Sequence, residues 1–217
     1  MVSFQQQFIE FALAHDVLRF GSFVTKAGRA SPYFFNAGLF NDGESLRQLG
    51  RFYAQAILAS NIVFDQLFGP AYKGIPLITA AAVALAENGR NVPISFNRKE
   101  AKEHGEGGVI IGAPLAGRVL ILDDVISAGT SVRESVDLIA GQHAQTCGVV
   151  IALDRMERGT GALSATQEVQ QNLHLPVVSI ATLDDLVHFL ERKGSMAREL
   201  QMVSHYRSQF GVSGNVL

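Results

Sequence analysis

The sequence of 217 residues contains one cysteine, Cys147, so it cannot form an internal disulfide bond. A lone cysteine just ahead of an apolar run is typical of a buried structural thiol in a reducing compartment. Basic residues are not in excess, and the net charge of −2 argues against general binding of nucleic acid. No apolar run approaches the roughly 20 residues of a membrane-spanning helix, and the N-terminus lacks a signal-peptide pattern. These absences favour a cytoplasmic protein without a membrane or nucleic-acid partner.

Two common nucleotide-binding motifs are also missing. Neither GxxxxGK[ST] nor GxGxxG occurs, so the sequence indicates neither a nucleoside triphosphatase nor a dinucleotide-binding protein. Instead, short apolar runs alternate with amphipathic segments over a length that suits one α/β domain. This order predicts a mostly parallel sheet flanked by helices, with ligands bound at the carboxyl ends of the strands.

The most informative stretch is residues 118–135, RVLILDDVISAGTSVRES. It begins as a buried strand, continues with two acids, and from Val132 onward its apolar residues recur at helical spacing. Between strand and helix lie Gly129 and three hydroxyl side chains. The free N–H groups and the positive dipole end of a helix N-terminus attract an anion. This loop therefore predicts a site for a phosphate monoester.

The two acids, Asp123 and Asp124, distinguish this loop from an ordinary helix start. A plainer interpretation, a buried strand followed by a helix cap, accounts for one acid and one hydroxyl. Two carboxylates beside a phosphate would repel it unless they face ribose hydroxyls or a magnesium ion. We therefore expect a ribose phosphate at these residues.

Two further segments could bind anions. Residues 69–74, GPAYKG, connect a predicted strand to a helix and suit a pyrophosphate, although many strand-to-helix loops look similar. Residues 97–108 follow a predicted strand at 92–96 and combine four potentially cationic side chains with several glycines. The cationic residues are Arg98, Lys99, Lys102 and His104. A solvated charged loop usually explains such a run, but a lid that closes over a polyanion needs the same composition.

The N-terminal segment contains a possible aromatic surface. Residues 4–18 place apolar side chains along one helical face, and Gly21 is expected to close this helix. In the following segment 31–36, SPYFFN, the adjacent Phe34 and Phe35 point to opposite faces if the segment is a strand. The pair predicts either a strand buried on both sides or an aromatic wall for a flat ring.

Residues 119–131, VLILDDVISAGTS, resemble the signature of type I phosphoribosyltransferases, which bind 5-phosphoribosyl pyrophosphate (PRPP). Other segments are similar to those of the orotate phosphoribosyltransferase family, in the same order and with similar spacing. They are KAGR at 26–29 with SPYFFN at 31–36, GPAYKGIP at 69–76, NRKEAKEHGEGG at 97–108 and DRMERG at 154–159. The resemblance covers nearly the whole chain. It departs at Ser127, where threonine is expected, and serine retains the hydroxyl.

The resemblance implies one α/β domain, residues 1–217, with the type I phosphoribosyltransferase fold. Its core would span about residues 42–181, with a hood from about residues 1–40 plus C-terminal elements and a mobile lid at 97–108. The implied reaction transfers the 5-phosphoribosyl group from PRPP to N1 of orotate, with Mg²⁺ as cofactor. Its products, orotidine 5′-phosphate and pyrophosphate, belong to pyrimidine nucleotide synthesis. The implied assembly is a homodimer with active sites shared across the interface.

The site residues are carried over by the same resemblance. The expected catalytic residues are Lys99, Lys102, His104, Asp123 and Asp124. The residues expected to bind PRPP are Lys26, Tyr72, Lys73, Arg98, Lys99, Lys102, His104, Asp123, Asp124, Val125, Ile126, Ser127, Ala128, Gly129, Thr130 and Ser131. Those expected to bind orotate are Lys26, Phe34, Phe35, Ser127 and Arg155. The Arg155 guanidinium suits the orotate carboxylate. No direct metal ligand is expected, since Mg²⁺ would be held by PRPP and by waters near the two aspartates.

Two other functions remain open at this point. A purine phosphoribosyltransferase would share residues 119–131 but has no use for Arg155 aimed at a carboxylate. A PRPP-sensing regulator would need a basic face or an added nucleic-acid-binding segment, and the acidic balance of the chain argues against one. Related enzymes also carry a non-proline cis peptide in the pyrophosphate loop, which predicts one between Ala71 and Tyr72.

Overall fold

A computed structural model of the chain describes residues 2–25, 28–102, 108–159 and 161–212, without the side chains of residues 99–102. The helices are α1 (Phe4–Ala14), α2 (Gly43–Ala59), α3 (Gly74–Glu87), α4 (Thr130–Gly141), α5 (Ala165–Leu173), α6 (Leu183–Lys193) and α7 (Ala197–Phe210), with a short 3₁₀ helix at Ala37–Leu39. The strands are β1 (Leu18–Val24), β2 (Ala30–Phe35), β3 (Gln66–Gly69), β4 (Ile94–Lys102), β5 (Gly108–Gly112), β6 (Arg118–Asp123), β7 (Gln145–Asp154) and β8 (Val177–Thr182). Within these ranges, no helix is long and apolar enough to cross a membrane.

Six strands form one sheet in the order β5-β4-β3-β6-β7-β8. All neighbouring pairs are parallel except β4 and β5, which run antiparallel. Strand β6 lies inside the sheet, and its apolar side chains alternate between two cores. Leu120 and Leu122 join the core that contains α2 and α3, whereas Val119 and Ile121 join the core under α4 and α5. The predicted mostly parallel sheet with helices on both faces is confirmed.

Two helices begin with the caps that their sequences indicate. The Asp42 carboxylate accepts the backbone N–H groups of Glu44 and Ser45 at the start of α2. Thr182 and Asp185 form a reciprocal capping box at the start of α6. Each such cap is worth about 1 kcal/mol.

The first helix is shorter than expected, because α1 ends at Ala14 and not near Gly21. Asp16 adopts a left-handed conformation with φ of 56°, and the Val17 N–H donates to the Ala12 carbonyl at 2.9 Å. This is a Schellman termination, in which a residue past the helix reverses the chain. Leu18 can then start β1 and still bury its side chain.

The strand expected to end at residue 96 also continues further. β4 runs on to Lys102 and pairs with β5 through Asn97 opposite Ile110 and Lys102 opposite Gly108. Backbone hydrogen bonds hold an antiparallel pair together and do not require apolar side chains. The first half of the predicted lid is therefore an arm of a β-hairpin, and residues 103–107 lie outside the described residues.

Candidate active site

Two buried aspartates lie at the carboxyl edge of the sheet. Asp123 is the last residue of β6, Asp124 follows it, and the two residues are only 8% and 5% exposed. The Asp124 carbonyl accepts the N–H groups of Ala152 and Leu153 from β7. The Tyr53 hydroxyl from α2 donates to the Asp123 carbonyl at 2.8 Å. Backbone contacts on both sides thus fix the two acids in position.

Each oxygen of these two carboxylates accepts a hydrogen bond. The Asp123 oxygens accept the Asp124 N–H at 2.9 Å and the Ser131 hydroxyl at 3.3 Å. The Asp124 oxygens accept the Val125 N–H at 2.9 Å and the Lys73 ammonium at 2.8 Å. Burial, together with the neighbouring charge of Asp124, raises the pKa of Asp123 to about 7. The described residues contain no cluster of three or more His, Cys, Asp or Glu side chains that could hold a metal ion.

Lys73 joins the two loops in which the sequence predicts anion sites. It precedes α3 directly, and its ion pair with Asp124 connects the loop after β3 to the loop after β6. The two glycines of the first loop are required by close packing, since a Cβ on Gly69 would lie 2.4 Å from the Gly74 carbonyl oxygen. The Ala71–Tyr72 peptide is cis, which confirms the expectation.

The loop after β6 has the geometry of an anion site. Gly129 precedes α4 with φ of 68°, and no side chain of the described residues caps this helix. Ser127, Ala128, Thr130 and Ser131 are exposed, whereas Ile126 is buried and anchors the loop. The Arg133 guanidinium donates to the Ala128 carbonyl at 2.6 Å from the first turn of α4. Free N–H groups, hydroxyls and a cation therefore surround one concave turn.

The paired phenylalanines lie on opposite faces of β2, as their adjacency predicts. Phe35 is 6% exposed and belongs to the main core, where its ring centroid lies 6.3 Å from that of Phe8. Phe34 is 37% exposed and stacks on Phe23 at 5.3 Å. The strand is thus not buried on both sides, and Phe34 offers an accessible aromatic face.

Arg155 follows the last residue of β7, at the same edge of the sheet as the two aspartates. Its guanidinium donates to Glu157 and to the Ser31 hydroxyl, and it lies 4.4 Å from the centre of the Tyr33 ring. The side chain is half-buried among these residues.

The remaining expected site residues are described in part or not at all. Tyr72 is exposed, Val125 is half-buried, and Arg98 is half-buried with its Nε atom lacking a hydrogen-bond partner among the described residues. Lys99 and Lys102 belong to β4, but their side chains are outside the described residues, as are Lys26 and His104.

Comparison with known proteins identifies the family. The model of the phosphoribosyl transferase domain matches residues 39–162. The chain is 65% identical over 212 residues to the orotate phosphoribosyltransferase of Thiobacillus denitrificans and 66% identical over 212 residues to that of Laribacter hongkongensis. Each alignment covers 98% of this chain and 100% of the relative. The crystal structure of orotate phosphoribosyltransferase from Francisella tularensis superposes with a TM-score of 0.85 at 40% identity, over 94% of this chain and 99% of that one.

The chain belongs to the orotate phosphoribosyltransferase family. As an orotate phosphoribosyltransferase it is an enzyme with the type I phosphoribosyltransferase fold, as the motif at residues 119–131 predicts. The two alternatives, a purine-using enzyme and a PRPP-sensing regulator, are set aside.

In this orotate phosphoribosyltransferase, several residues support the site without having been predicted for it. They are Ser31, Tyr53, Asn97, Arg133 and Glu157. Asn97 accepts the Ala71 N–H at 2.8 Å and so ties the root of the β4–β5 hairpin to the loop that carries Lys73. Only Glu157 has a sequence signal, because an acid two positions after Arg155 in DRMERG is within reach of the guanidinium.

Proposed function

We propose that the edge formed by Lys73, the two aspartates, the 125–131 loop and Arg155 is the active site for transfer of the 5-phosphoribosyl group from PRPP to N1 of orotate. The observation that carries this proposal is the 2.8 Å ion pair between Lys73 and Asp124, which unites the two anion loops. PRPP carries a phosphate at one end and a pyrophosphate at the other, so it needs two such loops side by side.

Asp123 and Asp124 would receive the ribose hydroxyls. Carboxylates accept hydrogen bonds from hydroxyl groups, and negative charge stabilises a ribosyl group that becomes cation-like as pyrophosphate leaves. All four carboxylate oxygens already accept protein donors, which fits a magnesium ion held through PRPP oxygens and waters better than one ligated directly. When bound, Mg²⁺ would neutralise charge on the pyrophosphate.

The two ends of PRPP would occupy the two loops. Residues 125–131 present the exposed N–H groups and hydroxyls of a helix start, which suit the 5′-phosphate. Lys73 and the cations of the hairpin, Arg98, Lys99, Lys102 and His104, would surround the pyrophosphate, and Tyr72 adjoins it. Lys102 is the proposed group that stabilises pyrophosphate departure, since a cation there opposes the charge that develops on the leaving group.

Orotate would lie between the aromatic hairpin and the end of β7. Phe34 has the exposed ring on which a flat base can stack, Phe35 backs it from the core, and Lys26 and Ser127 complete the polar contacts. The guanidinium of Arg155 would pair with the orotate carboxylate. The hood, formed by about residues 1–40 plus C-terminal elements, would cover a core of about residues 42–181 within one cytoplasmic domain.

The proposal is tested by following orotate consumption spectrophotometrically with PRPP and Mg²⁺. We expect turnover that requires both additions, with no turnover of hypoxanthine, xanthine or adenine. Turnover of a purine base without turnover of orotate would overturn the assignment.

We further propose a homodimer in which the lid, residues 97–108, acts on the partner's phosphate loop. Two features support it. The hairpin of β4 and β5 lies at the edge of the sheet, and an apolar groove of about 450 Å³ runs between α2 and α3. Leu46, Pro76 and Val83 line this groove, and Val83 is 58% exposed. Since α3 begins directly after Lys73, a second copy seated there would adjoin the pyrophosphate loop.

Subunit exchange tests the shared site. Two inactive variants, Lys102→Ala in the lid and Asp124→Asn in the core, are mixed and allowed to exchange. If the lid acts in trans, each mixed dimer has one intact site, so about a quarter of wild-type activity should return. A mixture of two lid variants, Lys102→Ala and Lys99→Ala, is the control and should restore nothing. No recovery in the first mixture, despite proven exchange, would place the lid in cis.

A further inference from the structure

The guanidinium of Arg155 is fixed from one side by Glu157. A single oxygen, Oε1 of Glu157, accepts from Nε at 2.8 Å and lies 2.6 Å from Nη2. Nη2 also donates to the Ser31 hydroxyl at 3.1 Å. The plane of the group is held further by the Tyr33 ring, whose hydroxyl donates to the same Glu157 oxygen at 3.3 Å. Three neighbours therefore determine the direction of this side chain.

The segment that carries both residues is itself held at its ends. The Arg158 N–H donates to the Phe210 carbonyl, and the Val212 N–H donates to the Met156 carbonyl, both at 2.8 Å. From the other side, the Arg29 guanidinium donates to the Arg158 carbonyl at 2.7 Å. A segment without regular structure is thus fastened between the C-terminal end of α7 and the turn of the β1–β2 hairpin.

These contacts use one edge of the guanidinium and leave the other edge available. Nε and Nη2 are engaged, whereas the hydrogen bonds that the described residues make to this guanidinium do not involve Nη1; the Tyr206 hydroxyl also lies close to Arg155 and Glu157. A guanidinium offers its five N–H groups in a rigid planar fork, so fixing one edge also fixes where the other edge points. A carboxylate that approaches Arg155 must therefore meet Nη1.

We propose that Glu157 is a positioning residue for orotate: it holds Arg155 so that Nη1 receives the substrate carboxylate, and it thereby sets the preference for a carboxylated base. This inference rests on the proposed role of Arg155. Without Glu157, the guanidinium would keep its charge but lose its direction, and a misdirected cation binds a carboxylate less well than a preorganised one.

The test compares two nucleotides that differ only by this carboxylate. Calorimetry gives the dissociation constants of orotidine 5′-phosphate and uridine 5′-phosphate, and their ratio isolates what the carboxylate contributes. The Arg155→Ala variant gives the ratio of the two dissociation constants in the absence of the guanidinium, and it serves as the reference value. We expect Glu157→Ala to lower the preference for orotidine 5′-phosphate about tenfold while the affinity for uridine 5′-phosphate stays within about threefold. Glu157→Gln keeps an acceptor at Oε1 and should retain the preference.

Each outcome decides one part of the inference. If Arg155→Ala leaves the ratio unchanged, the proposed role of Arg155 fails and the inference fails with it. If Arg155→Ala lowers the preference for orotidine 5′-phosphate but Glu157→Ala does not, positioning by Glu157 is overturned. It is also overturned if Glu157→Gln lowers that preference as much as Glu157→Ala does. Should Glu157→Ala not fold, Glu157→Asp, which withdraws the carboxylate by one methylene group, takes its place, and an unchanged ratio there overturns the inference. Glu10→Ala, which breaks an exposed 2.8 Å ion pair with Lys193, is the matched control and should leave the ratio unchanged.

Discussion

Replacing Asp123 with asparagine should stabilise the ligand-free protein at neutral and alkaline pH. Asparagine has the shape of aspartate, its carbonyl oxygen can accept the Asp124 N–H, and its amide can donate to the Ser131 hydroxyl. What the substitution removes is a buried negative charge next to a second one at Asp124. Burial of that charge lowers the stability of the native protein, and the variant does not have this destabilising charge.

The magnitude follows from the pKa of Asp123, which burial raises from an ordinary 3.8 to about 7. The folded state then binds more protons than the unfolded state between about pH 4 and pH 7, so the free energy of unfolding falls as pH rises through this window. About 3 pKa units correspond to a ceiling of about 4 kcal/mol, which is fully lost above pH 7.

Urea unfolding at several pH values measures this effect. We expect native protein and Asp123→Asn to be equally stable near pH 4, and the variant to gain on the order of 2 kcal/mol by pH 8, within the ceiling above. In a chain of this size that gain raises the melting temperature by about 4–8 °C. The variant should bind PRPP more weakly, because it has lost a charged acceptor for the ribose hydroxyls.

Asp65 provides a control of opposite sign. Its hydrogen bonds to Arg118 hold the pKa of this exposed carboxyl well below its usual range. Such a group stabilises the fold above its unfolded pKa and loses that contribution only as pH falls below about 4. Asp65→Asn should therefore destabilise the protein equally at pH 6 and pH 8. An Asp123→Asn variant that is less stable than native protein at pH 8, or whose difference from it does not change with pH, would refute the reasoning.

Three further predictions concern the site. Arg155→Ala should weaken orotate binding by about 2–5 kcal/mol and PRPP binding far less, and equal losses in the two Michaelis constants would remove Arg155 from its role. Gly129→Ala should raise the Michaelis constant for PRPP, because the residue has φ of 68° and a Cβ would lie 3.1 Å from a Val169 methyl group; an unchanged constant would contradict this. Tyr53→Phe removes the buried donor to the Asp123 carbonyl and should cost about 1–3 kcal/mol in urea unfolding, whereas no loss would show that the hydroxyl is dispensable.

The strand and helix around the loop at 125–131 could be predicted from their own residues. The end of α1 could not be predicted in this way. The 118–135 segment contains its own strand, acids, glycine and helix periodicity, so it could be interpreted without the rest of the chain. By contrast, Val17 and Leu18 continue the helical periodicity of α1, and the helix stops only because Asp16 takes a left-handed conformation. Nothing in an aspartate at that position distinguishes this choice from another helical turn.

The extension of β4 was missed for a related reason. Residues 97–102 are nearly devoid of apolar side chains, and such a composition indicates that a segment buries no face. Asn97 and Lys102 nevertheless pair with β5, because strand pairing joins backbone groups and does not require apolar side chains. Composition therefore carried no signal for the backbone conformation of this segment.

Some contacts of the site follow from the order of the strands, whereas others depend on how distant segments pack together. Lys73 and Asp124 lie 51 residues apart, yet their meeting follows from one rule, since both lie in loops that follow strands whose carboxyl ends share an edge. Arg155 and Ser31 lie 124 residues apart, and no rule brings them together, because β2 is outside the main sheet and its docking depends on how α7 packs against it. The charged groups at the sheet edge can thus be assigned from topology, whereas Ser31 and Tyr33 are brought to Arg155 only by the docking of the β1–β2 hairpin. The pairing of Glu157 with Arg155 lies between the two kinds, because their spacing of two residues indicates that contact whereas the docked Ser31 and Tyr33 determine its direction.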